Sequence, residues 1–221
     1  MSVTIVTLDG LSGVGKGSVA RQLAARFGWH LLDSGALYRL TALAAVDNAL
    51  ALEDEGAVAA LARELDIEFR LNPAEELVTA WLAGVDVSAH IRSETVGKQA
   101  SMVAALPAVR EALLQRQRDF ASPPGLVADG RDMGTTIFPK ADYKFFLTAS
   151  SEVRAKRRYK QLNDKGLNVT LSGLVRDIEE RDRRDSQRSV SPVRPAEDAL
   201  VIDTSQLTLN EVVSRVVECM T

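Results

Sequence analysis

Apolar and polar positions alternate along the chain in blocks whose period switches between that of strands and that of helices. Val3, Ile5, Val6 and Leu8 read as a buried first strand, and Val19 to Phe27 as a helix. Trp29 to Leu32 is short and apolar and ends at Asp33-Ser34, which suits a strand running into a helix N-cap. Helical spacing continues from Ala36 to about Val46, and an alanine- and leucine-rich helix is predicted over Glu53 to Leu65. The character then changes. Ile67, Phe69 and Leu71 alternate with charged residues, Leu77, Val78, Ala80 and Leu82 follow, and Gly84-Val85-Asp86-Val87 comes next. With turns at Asn72-Pro73 and Ala83-Gly84, this stretch predicts a small antiparallel insert over about 66–87. Helices resume over Ser93 to Ala105 and from Pro107 to Phe120, and Ser122-Pro123-Pro124-Gly125 breaks the second of them. Leu126-Val127-Ala128 is a buried strand ending in Asp129, and Tyr143 to Leu147 is another. Ser151 to Leu162 and Leu171 to about Arg184 read as helices, Leu200-Val201-Ile202 as a last strand ending in Asp203, and Leu209 to Cys219 as a closing helix. Apart from the insert, this is an α/β pattern: a parallel five-stranded sheet flanked by crossover helices.

Composition narrows the class without deciding the function. A chain of 221 residues with 46% hydrophobic content can bury one α/β core with an insertion, or two small domains. A net charge of −3 argues against general nucleic-acid or membrane-surface binding. The single Cys219 excludes an intrachain disulfide and a cysteine metal cluster, and reads as a small buried or terminal apolar residue rather than a nucleophile. No apolar run approaches membrane-spanning length, and the chain enters its first strand without a charged leader. A cytoplasmic protein is therefore expected, and nothing demands an oligomer, so a monomer is expected too. His30 and His90 lack further ligands nearby in sequence and suggest no metal, while Trp29 and Trp81 read as packing residues.

The first strand runs into Asp9-Gly10-Leu11-Ser12-Gly13-Val14-Gly15-Lys16-Gly17-Ser18, a glycine-rich loop with a lysine where the helix begins. Glycines let successive N–H groups converge on an anion, the helix N-terminus adds partial positive charge, and Lys16 adds a mobile point charge. The loop fits the P-loop pattern, so Gly10 to Ser18 (Gly10, Leu11, Ser12, Gly13, Val14, Gly15, Lys16, Gly17 and Ser18) is the expected ATP-binding segment. An unliganded strand-to-helix turn is the alternative. Gly17 stands where P-loop GTPases and transport ATPases carry the magnesium-binding hydroxyl, which here comes one place later as Ser18. The Gly-Lys-Gly-Ser order is similar to that of the nucleoside monophosphate kinases.

Further polar clusters close the other strands: Asp33-Ser34-Gly35, Asp129-Gly130-Arg131-Asp132 and Asp203-Thr204. In an open parallel sheet these ends should face one crevice. Arg39 follows Ser34 by about one helical turn and is expected on the same face, where it and the Ser34 hydroxyl would hold a second anion. A simple cap at Asp33 or Ser34 is the competing reading. Asp129, ending a buried strand, is expected to hold magnesium, directly or through water, beside the phosphates. Arg131 and Asp132 either serve that phosphoryl site or pair with each other or with helix ends.

Arg181, Asp185 and Arg188 fall at i, i+4 and i+7 of a charged helix and share one face, on which Asp185 could orient the arginines. A solvated face is the alternative. Arg154, Lys156, Arg157 and Arg158 form a second basic cluster, and Asn163-Asp164-Lys165-Gly166-Leu167-Asn168 between the two reads as a hinge for a lid that would exclude water.

At this point the chain resembles the bacterial cytidylate kinases over essentially its whole length. The residues that carry the resemblance are the glycine-rich loop, Leu32-Asp33-Ser34-Gly35-Ala36-Leu37-Tyr38-Arg39, Val109-Arg110-Glu111-Ala112-Leu113-Leu114, the Arg181/Asp185/Arg188 face and, most discriminating, Ala128-Asp129-Gly130-Arg131-Asp132-Met133-Gly134-Thr135. Leu11 replaces a typical proline, Val14 an alanine and Ser18 a threonine, and none of these removes a phosphate donor. The resemblance implies a P-loop NTPase-type fold, with a core over 1–33, 121–152 and 190–221. It also implies a monophosphate-binding region over 34–120 containing the β insert, and a helical lid over about 153–189. It implies transfer of the γ-phosphate of ATP, with Mg2+, to CMP or dCMP. Arg39, Arg131, Arg181 and Arg188 would hold the acceptor phosphate, with Ser34 beside it and Asp185 near the sugar hydroxyls. Ser101 and Asp132 would accept from the cytosine amine while Arg110 donates to N3 or O2. Lys16, Asp129, Arg131, Arg157 and Arg158 would carry the catalytic charge. Two rivals remain open: a P-loop kinase with another acceptor such as UMP or AMP, and a nucleotide-dependent switch. The switch would want a hydroxyl at position 17 and an Asn-Lys-x-Asp run, and neither is present.

Overall fold

The computed structural model describes residues 3–72, 77–164, 166 and 168–220. The chain divides into two compact units, residues 1–33 with 118–221 as one and 34–117 as the other.

The first unit is built on a five-stranded parallel sheet. Its strands are β1 (Thr4–Gly10), β2 (His30–Asp33), β6 (Gly125–Asp129), β7 (Tyr143–Thr148) and β8 (Leu200–Asp203), in the order β2-β6-β1-β7-β8. β1 is the central strand, pairing with β6 through Leu8↔Asp129 and with β7 through Gly10↔Leu147. A strand covered on both faces needs no polar face, which is why β6 carries the unbroken apolar run Leu126-Val127-Ala128 and β1 buries Val6, Thr7 and Leu8 in succession. Helices α1 (Lys16–Phe27) and α8 (Leu209–Glu218) are part of this unit. Leu23, Val213 and Val216 cluster with Val6, Leu8, Val127 and Leu147 of the strands. A capping box joins Thr208 and Glu211 at the start of α8. The parallel register brings the carboxyl ends together: Asp33 pairs with Asp129, and Asp203 with Thr148. Helices α6 (Ser151–Asn163) and α7 (Leu171–Ser186) pack through Ala155, Leu162 and Leu174. The expected hinge between them includes Lys165 and Leu167, which lie outside the described residues.

The second unit contains α2 (Ser34–Asp47), α3 (Glu55–Glu64), α4 (Glu94–Val103) and α5 (Pro107–Arg118, whose last residue belongs to the first unit). It also carries an antiparallel sheet of β3 (Ile67–Asn72), β4 (Leu77–Leu82) and β5 (Val85–Asp86). Leu40, Leu43, Ala80, Ile91 and Val96 form its core. Ala83 and Gly84 both take positive φ, 48° and 77°, which gives the tight turn expected there. The turn expected at Asn72-Pro73 runs into residues outside the described set.

Element boundaries differ from the periodicity by a few residues, as fraying ends do. Two short elements carry no periodic signal: a 3-10 turn at His90–Arg92 and a single π-helical turn at Met133–Ile137. Cys219 is exposed rather than buried. Trp29 packs as expected, stacked on Phe27 with ring centroids 4.9 Å apart. Among the described residues no helix is long and apolar enough to cross a membrane.

Candidate active site

The glycine-rich loop joins the end of β1 to the first turn of α1. Gly10 has φ +140°, and a Cβ there would lie 2.2 Å from the Leu147 carbonyl oxygen, so the loop can leave the sheet only through glycine. Gly15 caps α1 in the left-handed region, with φ 103°. Lys16 follows, 6% exposed, with its Nζ donating to Leu11 O at 3.0 Å and lying 3.8 Å from Asp129 Oδ1. Burial lowers the Lys16 pKa, Arg131 lowers it further, and Asp129 and Asp9 oppose them. Burial likewise raises the Asp129 carboxyl, against the pull of Lys16. Desolvation thus disfavours the charge on both partners, and an arriving polyanion would restore the lysine's. A Cβ at Gly17 would meet Asp129 Oδ2 at 3.3 Å, so the missing side chain at position 17 leaves room for that carboxylate. The Ser18 hydroxyl, one place on, accepts from Arg21 Nη2 at 3.3 Å.

A second charged cluster lies at the end of β6. Arg131 Nε donates to Asp185 Oδ2 at 3.0 Å, and Arg188 Nη2 donates to Asp185 Oδ1 at 2.6 Å. Burial pushes the Asp185 carboxyl up, but Arg131, Arg188 and Arg181 outweigh it and hold it at about 2. The expected association of Arg131, Arg181, Asp185 and Arg188 is therefore present around one carboxylate. Arg188 reaches it from beyond the helix, because α7 ends at Ser186. Asp132 is buried, and its carbonyl accepts the Thr136 and Ile137 amides that open the π-helical turn.

The basic cluster at the start of α6 divides by role. Arg154 is 3% exposed and donates to Ala149 O, Ser12 O and both oxygens of Asp182, so it braces the loop against α7. Arg157 lies at the loop's edge, donating from Nη1 to Val14 O at 3.4 Å and to Thr204 Oγ1 at 3.1 Å, and from Nη2 to Thr204 O. Thr204, buried at the end of β8, in turn donates to Val14 O and Thr148 O. Arg158 bonds Gln161 on its own helix at 3.2 Å.

In the second unit Ser34 is buried at the first position of α2. Arg39 is five residues on, about 140° around the helix axis, so the expected shared face with Ser34 does not hold. Its Nη1 donates to Ile91 O at 2.5 Å and Ser93 O at 3.2 Å, and Gly97 leaves space beside the guanidinium. Ser101 on α4 and Arg110 on α5 are both buried. Arg110 Nη1 donates to Ala104 O at 3.1 Å, and its guanidinium sits 5.5 Å from the Tyr38 ring centroid.

Asp9 and Asp182 escaped the sequence reading as site residues. The signal for Asp9 is a carboxylate near the end of a buried strand. Nothing local distinguishes Asp182 from its charged neighbours.

The family model described as Cytidylate kinase matches residues 6–221. The cytidylate kinase of Methylococcus capsulatus is 55% identical over 212 residues, covering 96% of this chain and 94% of that protein. That of Shewanella denitrificans is 55% identical over 214 residues, covering 97% and 94%. The Pseudomonas entomophila cytidylate kinase is 55% identical over 212 residues, covering 96% and 93%. With its sheet, its phosphate loop and near-full-length similarity of this order, the chain belongs to the cytidylate kinase family.

Proposed function

We propose that this protein transfers the γ-phosphoryl group of ATP to the phosphate of CMP or dCMP, giving ADP and CDP or dCDP. The observation that carries the proposal is the buried Lys16 beside Asp129 in the loop after β1, an amine whose charge burial disfavours and a bound polyanion would favour. Family membership supplies the acceptor.

The nucleophile is an oxygen of the acceptor's own phosphate, so no side chain needs to form a covalent intermediate. An oxygen–phosphorus bond forms on CMP as the bond from γ-phosphorus to ADP breaks. The protein's part is alignment and charge neutralisation. Lys16 and the backbone N–H groups of residues 10–18 hold the donor phosphates, and Arg157 at the loop's edge supports the donor side. Arg158 is a weaker candidate for the moving phosphoryl, since its guanidinium is engaged along its own helix. Arg131, Arg181 and Arg188, gathered on Asp185, together with Arg39 and Ser34, take the acceptor phosphate. Asp185 also serves the sugar hydroxyls. Ser101, Asp132 and Arg110 read cytosine, whose amine donates where uracil presents a carbonyl.

Asp129 fits magnesium. It is a carboxylate at the end of β6, 3.8 Å from the Lys16 ammonium of the glycine-rich loop and raised toward its neutral form by burial, and a cation would stabilise its charge. When bound with ATP, Mg2+ supplies charge neutralisation at the β- and γ-phosphates.

A panel of acceptors (CMP, dCMP, UMP, AMP, dTMP and shikimate) assayed with ATP tests the proposal. CMP and dCMP should exceed the others in kcat/KM by at least about a hundredfold, because the other bases present a different donor and acceptor pattern to the side chains assigned to cytosine. Equal turnover of UMP or AMP would overturn the base assignment.

A further inference from the structure

Asp9 is the penultimate residue of β1, 4% exposed, in a strand whose neighbours Val6 and Leu8 are wholly apolar and buried. A carboxylate there is costly unless it is bonded. Its bonds go to one place. Oδ1 accepts the Met133 amide at 2.8 Å and Oδ2 accepts the Gly134 amide at 2.8 Å. On the other side of the same segment, the Gly130 amide donates to Leu8 O at 3.0 Å. Arg131 and Asp132 are the residues between these anchors, so β1 grips the segment on both sides of them.

The grip depends on close approach. A Cβ at Gly134 would lie 3.0 Å from Thr7 Oγ1, 3.2 Å from Lys144 Cδ and 3.4 Å from Asp9 Oδ2. Lys144 is fixed in turn by Pro139 O at 2.7 Å and by the Asp198 carboxylate at 2.8 Å and 2.9 Å. The Gly134 backbone thus packs tightly against β1, where a methyl group would press on its neighbours, and the carboxylate offers one oxygen to each of the two amides.

We propose that Asp9 is a positioning residue for the acceptor nucleotide: by receiving the Met133 and Gly134 amides it fixes the direction in which Arg131 and Asp132 project. The inference rests on the acceptor-binding roles proposed for those two residues. Burial pushes the Asp9 carboxyl up to about 7, against the Gly134 and Met133 amides, with Asp132 adding to the rise and Lys16 opposing it. A side chain needed only to fill the strand would do so at lower cost as an apolar residue. That makes a purely packing role a poor account of Asp9.

Asp9→Asn tests this, since it keeps the volume but turns a donor toward one of the two amides. Steady-state kinetics with each substrate varied, thermal midpoints and the control Asp132→Asn are measured together. The expected result is a KM for CMP raised about tenfold or more in both variants, with KM for ATP changed less than about twofold. Gly134→Ala, which presses on the same contact from the opposite side, should reproduce the selective loss even if Asp9→Asn folds poorly. If Asp132→Asn weakens CMP while Asp9→Asn and Gly134→Ala leave both KM values unchanged or raise them equally, the positioning role is overturned. If Asp132→Asn leaves CMP binding intact, the acceptor role of Asp132 fails, and the inference fails with it.

Discussion

Arg154 and Asp182 meet as a bidentate pair, Nη1 to Oδ1 at 3.0 Å and Nη2 to Oδ2 at 2.5 Å, with the arginine 3% exposed. The same guanidinium holds Ser12 O in the phosphate loop at 3.1 Å. Breaking a buried pair from one side strands the other charge. Asp182→Ala is therefore expected to destabilise the fold by about 3–5 kcal/mol, a fall of roughly 10 °C in the thermal midpoint. Glu180→Ala, which removes the partner of Arg184 on the same helix, is the control. That pair is exposed, and its loss should cost less than about 1 kcal/mol. Equal shifts in the two variants would count against Arg154 as the brace of the loop.

Lys16→Met removes the charge proposed to hold the donor phosphates. Turnover should fall by at least about a thousandfold, with the fold retained. Stability gives a second readout. Because burial lowers the Lys16 pKa below its ordinary 10.5, the folded chain binds fewer protons here than the unfolded chain. Wild-type stability relative to Lys16→Met should then rise as pH increases toward 10.5, and fall as pH decreases. ATP binding by the wild type at alkaline pH should take up protons, which calorimetry in buffers of different ionisation enthalpy would detect. A variant with near-normal turnover would sink the assignment.

Much of this was legible in the chain, for physical reasons that differ from place to place. The parallel sheet could be read because β1 and β6 are buried on both faces, so that β6 carries an unbroken apolar run and β1 shows Ile5, Val6 and Leu8 with few charges between them. The phosphate loop could be read because its geometry demands glycines and a lysine at fixed offsets. The π-helical turn at Met133–Ile137 could not, because a single turn is too short for a periodic signal and its first two amides are held by Asp9, more than a hundred residues earlier. Arg154 looked like one member of a basic run, and only tertiary contact separates it from Arg157 and Arg158. The face expected to join Ser34 and Arg39 failed on helical geometry, since a spacing of five residues is not one turn.

Gly10 and Gly15 both take positive φ, and their surroundings set them apart. A Cβ at Gly10 would strike the Leu147 carbonyl at 2.2 Å, whereas one at Gly15 meets nothing within 4 Å. Gly10→Ala must displace β7 or the loop and is expected to cost more than about 4 kcal/mol or to prevent folding. Gly15→Ala carries only the left-handed strain, about 1–2 kcal/mol, and should fold with weakened ATP binding. Thermal melts of the two variants make the comparison. A Gly10→Ala protein as stable as Gly15→Ala would contradict the contact with β7.

Asp185 gathers Arg131 and Arg188 by direct bonds and Arg181 by charge, and the three together hold its carboxyl at about 2 despite burial. A depressed carboxyl pKa stabilises the fold at pH values above the unfolded value of 3.8, and that contribution is lost as pH falls toward 2. Asp185→Asn should therefore cost about 2 kcal/mol at pH 7, and the gap to wild type should narrow between about pH 5 and pH 2. The variant should also weaken CMP more than ATP, because Arg131 and Arg188 lose the carboxylate that orients them. Chemical denaturation from pH 8 to pH 3, with KM measured for both substrates, tests both parts. A stability gap that widens toward acid would show that the three arginines do not depend on Asp185 for their neutralisation.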